Sequence, residues 1–204
     1  MLLRLLLGTN NRGKVIEYRA LLGSLSCELV TPSELGIEKD VVESGQTLEE
    51  NAGLKAVALA AESGLITLAD DSGLEVDALG GEPGPLSARY AGENATDEDR
   101  VRYLLKRLEG VSWEKRQARF RCVIALAGCG KQVSYFSGEC RGIIGFEPRG
   151  ETGFGYDPIF YLPGLNKTMA ELTMAEKNRL SHRGMAALKA AGALKRLTQE
   201  QSQD

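Results

Sequence analysis

The chain has 204 residues, of which 43% are hydrophobic and 26% charged, and its formal net charge is −3. This length suffices for one sizeable domain or for two small lobes that share a sheet. The weak negative charge excludes a general attraction to nucleic acid or to anionic membranes. A phosphate-rich ligand must therefore be bound by a local cluster of Lys and Arg.

The first residues, MLLRLLLG, and the cysteines bear on where the protein works. The opening segment is too short for a membrane span and lacks the cleavage pattern of a signal peptide. Cys27, Cys122, Cys129 and Cys140 form no C-x-x-C pair, and the chain has a single histidine. This pattern argues against a zinc site and predicts free, buried thiols in a reducing compartment. We expect a cytoplasmic protein without a membrane segment.

The first third of the chain alternates strand and helix. A short strand over 4–7 leads through a Gly/Asn loop into a helix that begins near Lys14. A second helix is predicted by the capping box of Thr47 and Glu50, and Gly64 ends it. Its predicted buried face consists of four apolar residues, Leu54, Ala58, Ala61 and Leu65.

An apolar strand follows and ends in two adjacent carboxylates, Asp70 and Asp71, with a Ser-Gly turn directly after them. Adjacent like charges repel each other. The pair is therefore interpreted either as solvated turn residues or as two groups with a cation between them.

The rest of the chain predicts a mixed sheet with helices. GLEVDAL (73–79) alternates as a half-buried strand, and GGEPGPLSARYAG (80–92) is typical of a loop. A helix capped by Thr96 precedes two β-rich segments around residues 128–131, which predict an antiparallel hairpin. Two helices end the chain, one capped by Thr173 and one entered at SHRG. This order indicates an α/β fold with a mixed β-sheet flanked by helices.

The segment Gly8–Lys14, GTNNRGK, lies between a predicted strand and a predicted helix and fits the pattern G-x-x-x-x-G-K. Backbone N–H groups of such a loop bind phosphate. The next residue is Val15, which has no hydroxyl for Mg²⁺. The loop is thus either a turn without a ligand or a phosphate site whose metal is held elsewhere.

Three acidic residues are candidates for that metal site: Asp70, Asp71 and Glu43. Mg²⁺ takes one or two carboxylates together with waters and substrate phosphates. A lone Glu before a helix is most often a solvated charge. On the helix that follows, Asn51 and Lys55 share a face, so Lys55 is either an ordinary exposed lysine or a group that reaches a bound polyphosphate.

The segment TGFGYDPIF (152–160) sets aromatic residues among glycines. Phe154 is placed either to stack on a base or to fill its own turn. Further along, His182 adjoins Arg183 near Lys177. The histidine is either a structural hydrogen-bonding group or, with Arg183, a donor to a carbonyl-bearing base.

Five blocks of the chain together resemble the inosine triphosphate pyrophosphatase family, whose bacterial members hydrolyse dITP, ITP and XTP. They are TNNRGK, ESGQTLEENAGLKA, ADDSGLEVDALGGEPGPLSARYAG, GFGYDPIF and EKNRLSHRG, and they span about residues 4 to 190. The resemblance implies one two-lobed α/β domain over 1–204 with a long mixed sheet and a central nucleotide-binding cleft. It also implies a homodimer, dependence on Mg²⁺ and release of pyrophosphate from a small-molecule substrate, a purine nucleoside triphosphate.

The resemblance also implies roles for individual residues. Asp71 would be the general base and, with Glu43, a metal ligand. The substrate would be held by Thr9, Asn10, Asn11, Arg12, Gly13, Lys14, Lys55, Ser72, Phe154, Gly155, Tyr156, Asp157, Lys177, His182 and Arg183. Whether Asp70 binds the metal directly stays open.

Two other functions compete with this interpretation. A P-loop nucleotide kinase or ATPase would explain GTNNRGK and the strand that ends in Asp70, but Val15 argues against it. A non-catalytic module that binds nucleotide or RNA would need no base at Asp71. The acidic net charge and the absence of a basic stripe argue against RNA.

Overall fold

The computed structural model describes residues 3–38, 41–128 and 130–200. Within them, the strands are β1 (Leu3–Leu7), β2 (Cys27–Val30), β3 (Ile66–Val76), β4 (Pro83–Gly84), β5 (Gln117–Gly128), β6 (Lys131–Ile144), β7 (Phe160–Leu162) and β8 (Lys167–Thr168). The α-helices are α1 (Arg12–Leu22), α2 (Leu48–Ser63), α3 (Asp97–Arg107), α4 (Met174–Leu180) and α5 (His182–Glu200). Short 3₁₀ turns connect several of these elements.

The strands form one mixed sheet in the order β2-β1-β3-β5-β6-β7-β8, and β4 pairs with β3 off this path. β1 runs parallel to β2 and β3, whereas β4, β7 and β8 pair antiparallel to β3, β6 and β7 respectively. β5 and β6 are neighbours in the sheet and close in the chain, so they can pair only antiparallel. The predicted α/β class with a mixed sheet is confirmed.

The chain divides into two compact units. The first unit comprises residues 1–71, 122–138 and 183–204, and the second comprises 72–121 and 139–182. β3, β5 and β6 each contribute residues to both units.

In the first unit, α1 and α5 cover one face of the strands and α2 covers the other. Successive side chains of a strand point to opposite faces. Leu5 and Leu7 of β1 therefore pack with Tyr18 of α1 and Ala186 of α5, among other apolar residues. Ala69 of β3 lies in a separate cluster with residues of α2. Side chains of β3 that are two residues apart therefore pack against the same helices.

Helix α2 begins and ends as predicted, but it buries a different face. Thr47 and Glu50 form the capping box, and Gly64 closes the helix at φ +68°. Leu54 is 45% exposed, whereas the apolar residues that the helix buries are Leu48, Ala52, Ala56 and Leu59. The prediction of the face was wrong because this Ala-rich helix carries two apolar stripes. The stripe of Leu48, Ala52, Ala56 and Leu59 is the one that packs on the strands.

The second unit has its core between α3 and the strands beside it. Val101 and Leu104 of α3 and Leu108 directly after it are buried and pack with Leu74 and Val76 of β3. The predicted turn at 72–73 is wrong, because β3 continues without interruption from Ile66 to Val76. The predicted loop over 80–92 holds a two-residue strand and short 3₁₀ turns.

The described residues bear on the predictions about a membrane segment and about the thiols. No helix among them combines the length and apolarity needed to cross a bilayer. Cys122 and Cys140 are free and buried, and Cys27 is free and half-buried. Cys129, the fourth expected thiol, lies outside the described residues.

Candidate active site

The loop between β1 and α1 is shaped by its own side chains. Gly8 lies so close to Ala69 that a Cβ there would collide with the Ala69 side chain. Asn11 caps α1, since its Oδ1 accepts a hydrogen bond from the Lys14 N–H at 3.0 Å. Thr9 Oγ1 accepts from the Asn11 N–H at 3.1 Å. The segment is therefore a fixed loop at a helix N-terminus, a position that favours anions.

The two remaining side chains of this loop, Asn10 and Arg12, differ in their settings. Asn10 Oδ1 accepts a hydrogen bond from the Ser33 N–H at 3.2 Å, which ties the loop to the segment after β2. Arg12 is exposed at the first position of α1. Gly13 follows it within the first turn.

Asp70 and Asp71 lie within β3, with no turn between them, so their side chains point to opposite faces of the sheet. This arrangement separates the two like charges, and the ammonium groups of Lys14 and Lys55 act on both of them. Asp70 lies on the face covered by α1 and α5, and Asp71 lies on the face covered by α2.

Asp70 is buried among cations of the protein itself. Its carboxylate accepts from Lys14 Nζ at 3.1 Å and from Arg183 Nε at 3.3 Å, and Cys122 Sγ lies 3.7 Å from it. Burial alone would raise the pKa of Asp70, but the charges of Lys14, Arg183 and Lys55 outweigh burial and hold the pKa well below its usual value. These contacts favour a positioning role for Asp70 over direct metal ligation.

Arg183 is as deeply buried as Asp70, with 2% of its surface exposed. Its guanidinium donates to Asp70 and, from Nη1, to Glu17 Oε2 at 2.6 Å. The two carboxylates outweigh the effect of burial and raise the pKa of Arg183 above its usual value. The role of Glu17 was not predicted from the sequence, because a charged residue in the second turn of a helix ordinarily indicates a solvated position.

Asp71 lies in a different setting on the other face. It is 6% exposed, and its Oδ2 accepts from Asn51 Nδ2 at 3.1 Å. Burial raises the pKa of the Asp71 carboxyl, Lys55 opposes the shift and the charge of Glu43 adds to it. Asp71 is thus the carboxylate here whose environment favours taking up a proton.

Lys55 connects the elements around Asp71. Its Nζ lies 2.5 Å from Glu43 Oε1 and donates to the Asp70 carbonyl at 2.9 Å. Burial would lower the pKa of Lys55, but the charges of Asp70 and Glu43 outweigh burial. The pKa is therefore raised, and the ammonium stays charged. The prediction that Asn51 and Lys55 share a face is confirmed by their contacts with consecutive residues of β3.

Oxygen ligands suited to Mg²⁺ are present in this cluster. Glu43 and Asp71 are close enough for the charge of one to raise the pKa of the other. Among the described residues no group of three or more His, Cys, Asp and Glu side chains forms a complete metal cage. Mg²⁺ typically takes one or two carboxylates and completes its shell with water and substrate phosphate. The residues therefore fit Mg²⁺ that is shared with a polyphosphate.

A second group of predicted residues lies in the second unit, around Asp157. Asp157 Oδ2 accepts from the Phe154 N–H at 2.9 Å and from Lys177 Nζ at 2.5 Å. Lys177 Nζ also lies 4.9 Å from the centre of the Phe154 ring, within range of a cation–π contact. Asp157 thus fixes both the backbone beside the ring and the ammonium that faces it.

The other residues of this group are fixed by backbone and ring contacts. The Gly155 N–H donates to Asp97 Oδ2 at 2.7 Å, and the Tyr156 hydroxyl donates to the Ser87 carbonyl at 3.0 Å. His182 is buried and stacks on Phe120, with ring centres 4.7 Å apart and an interplanar angle of 13°. Ser72 is half-buried on β3, directly after Asp71.

The predicted site residues thus fall into two sets, one in each of the two units. The first unit holds Thr9, Asn10, Asn11, Arg12, Gly13, Lys14, Glu43, Lys55, Asp71 and Arg183. The second unit holds Ser72, Phe154, Gly155, Tyr156, Asp157, Lys177 and His182.

These features define a class of protein. A loop at a helix N-terminus, lysines beside buried carboxylates and an aromatic turn among glycines are typical of an α/β enzyme that binds a nucleotide. Comparison with known sequences identifies the family within this class. The profile of the Ham1 family matches residues 5–193. The chain belongs to the Ham1 family.

Individual relatives agree with this assignment. The chain is 46% identical over 189 residues to the dITP/XTP pyrophosphatase of Bacillus licheniformis, covering 93% of this chain and 96% of that protein. It is 50% identical over 183 residues to the dITP/XTP pyrophosphatase of Geobacter sulfurreducens, covering 90% and 92%. A solved HAM1 protein from Coxiella burnetii matches with a TM-score of 0.86 and 42% identity, over 95% of this chain and 99% of that one. The resemblance identified from the sequence blocks is confirmed.

Proposed function

We propose that this chain hydrolyses non-standard purine nucleoside triphosphates, dITP, ITP and XTP, to the monophosphate and pyrophosphate. The observation that carries the proposal is the cluster of Lys14, Lys55, Asp70 and Asp71 in the first unit. It provides cations for phosphate and one buried carboxylate whose pKa is raised. The relatives named dITP/XTP pyrophosphatase support the choice of substrate and product.

Asp71 is the general base of this reaction. It takes a proton from water, and the water oxygen attacks the α-phosphorus while the bond to the bridging oxygen of the leaving pyrophosphate breaks. Asn51 holds the carboxylate in one orientation through its amide.

Charge on the phosphates is balanced by Lys14 and Lys55, together with the positive end of helix α1, at which the loop Thr9–Lys14 lies. Glu43 and Asp71 would hold Mg²⁺, which when bound neutralises charge on the phosphate oxygens. The ion pair of Lys55 uses Oε1 of Glu43, and a carboxylate has a second oxygen for a metal.

The nucleoside part is bound by the group around Asp157. Phe154 offers a ring for stacking, which contributes about 1–3 kcal/mol per base. Gly155, Tyr156, Lys177 and His182 complete this group, and Ser72, directly after Asp71, lies beside the substrate. Hypoxanthine and xanthine carry a 6-oxo acceptor where adenine carries an amino donor, so a site with N–H donors there rejects ATP.

We also propose that the protein acts as a cytoplasmic homodimer on a small-molecule substrate and without nucleic acid.

A hydrolysis panel tests the proposed function. The purified chain is incubated with Mg²⁺ and ITP, XTP, GTP or ATP, and both products are identified. We expect pyrophosphate and monophosphate from ITP and XTP, with kcat/KM for ATP lower by a factor of about 10⁴. Orthophosphate as the product would favour the P-loop alternative, and binding without turnover would favour a non-catalytic module.

A substitution in α1 distinguishes the proposed site from a P-loop. Val15→Thr introduces a hydroxyl at the position where a Walker loop binds Mg²⁺. We expect the Mg²⁺ dependence and the rate of ITP hydrolysis to stay within about twofold of wild type, because the metal ligands proposed here are Glu43 and Asp71. The measurement is a Mg²⁺ titration of the rate for both proteins. A large gain in apparent Mg²⁺ affinity would contradict the assignment.

A further inference from the structure

The turn that carries Phe154 is tied to the start of α3. The Gly155 N–H donates to Asp97 Oδ2 at 2.7 Å, and Asp97 is the first residue of that helix. Gly155 has φ +62°, a backbone conformation that a side chain rarely adopts. A carboxylate acceptor on its N–H is a charge-assisted bond, which is stronger than a neutral one. Asp97 therefore holds the peptide next to Phe154 in place.

Arg100 fixes Asp97 in turn. Its Nη2 forms an ion pair with Asp97 Oδ1, and its Nη1 donates to the carbonyls of Ala88 at 2.9 Å and Ala95 at 2.6 Å. Only 18% of the Arg100 side chain is exposed. One guanidinium thus joins the segment before α3 to the carboxylate that binds the Gly155 N–H.

The same segment reaches the turn at a second point. The Tyr156 hydroxyl donates to the Ser87 carbonyl at 3.0 Å. The hydroxyl of Ser87 in turn donates to the Gly84 carbonyl at 2.6 Å and accepts from the Leu74 N–H at 2.8 Å. Residues 84–100 therefore fix both Gly155 and Tyr156. This region includes most of the block GGEPGPLSARYAG, to which the proposed mechanism assigns no role.

We propose that Asp97 and Arg100 are positioning residues for nucleoside binding, which set the orientation of the Phe154–Tyr156 turn against the base of the substrate. The inference rests on the proposed function, because it takes this turn as the nucleoside site. Asp97 and Arg100 act on binding of the base and leave the phosphate cluster in the first unit unchanged.

Helix α3 offers a matched control for the test. Asp99 and Arg102 form a second ion pair with the same three-residue spacing on the same helix. Asp99 also accepts the capping hydrogen bonds of Thr96, so its loss weakens the helix end. In the part of the chain that the structure describes, the side-chain hydrogen bonds of Asp99 and Arg102 stay within residues 96–102 and do not reach the turn at 153–157. Asp97→Ala and Asp99→Ala therefore separate loss of the turn contact from loss of helix stability.

The affinities of inosine monophosphate and of pyrophosphate are measured by calorimetry, and ITP hydrolysis by steady-state kinetics. For Asp97→Ala we expect inosine monophosphate to bind about tenfold more weakly and the KM for ITP to rise by about the same factor. Pyrophosphate, which has no base, should bind within about twofold of wild type. Asp99→Ala should keep both affinities and lower only the melting temperature.

The conservative variant Asp97→Asn keeps an oxygen acceptor for the Gly155 N–H and should restore part of the lost affinity. If Asp97→Ala does not fold, Arg100→Gln and its control Arg102→Gln give the same comparison. Equal losses for inosine monophosphate and pyrophosphate, or equal effects at positions 97 and 99, would overturn the inference. Wild-type protein that binds inosine monophosphate but does not hydrolyse ITP would contradict the proposed function alone.

Discussion

Asp71→Asn is expected to lower kcat for ITP by about 10²–10⁴-fold, the usual contribution of a general base. The substitution keeps an oxygen that can accept the hydrogen bond from Asn51, so the protein should fold and still bind nucleotide. It removes the group that takes the proton from water and one of the two proposed metal ligands. The measurement is kcat for ITP at saturating Mg²⁺, together with direct nucleotide binding.

The control for this variant is Asp77→Asn. Asp77 directly follows β3 and is exposed, so the same change of charge is made in the same segment without loss of a buried contact. We expect wild-type kcat for the control and equal melting temperatures for the two variants within a few degrees. Activity of Asp71→Asn within about tenfold of wild type, a barrier change near 1.4 kcal/mol, would contradict the role of general base.

Local signals in the sequence predicted most of the secondary structure. The helix caps predicted at Thr47, Thr96 and Thr173 are formed, and each is a capping box whose two side chains are only three residues apart. The apolar run of β1 and the strand that follows α2 are also local features. The blocks of the sequence that carry the resemblance predicted the family, since each keeps its residues in one short segment.

The arrangement of Asp70 and Asp71 was not predictable in the same way. A Ser-Gly pair after two carboxylates favours a turn, and only the pairing of β3 with its neighbours extends the strand to Val76. Once the strand continues, the two side chains must lie on opposite faces. The repulsion between the two side chains is thereby reduced by geometry, and Lys14 and Lys55 further stabilise the charge of both carboxylates.

The partners of Asp70 illustrate why long-range contacts escape sequence reasoning. Arg183 binds Glu17, which lies 166 positions earlier in the chain, and Asp70, which lies 113 positions earlier. Neither spacing has a periodicity that indicates contact. The neighbouring His182 and Arg183 suggested donors to a base, and the sequence carried no signal that the guanidinium of Arg183 lies buried between two carboxylates.

Arg183→Ala is expected to lower the free energy of unfolding by about 3–5 kcal/mol, because Glu17 and Asp70 would stay buried without the guanidinium between them. Asp70 also holds Lys14, so we expect kcat/KM to fall by a similar factor for ITP, XTP, GTP and ATP, which share the phosphates. The control is Arg179→Ala, an exposed arginine on α4, which should change neither stability nor rate. Denaturant unfolding and kcat/KM for the four nucleotides measure both effects. A loss confined to ITP and XTP, with an unchanged rate for ATP, would instead assign Arg183 to the base and contradict its role as the residue that holds Asp70.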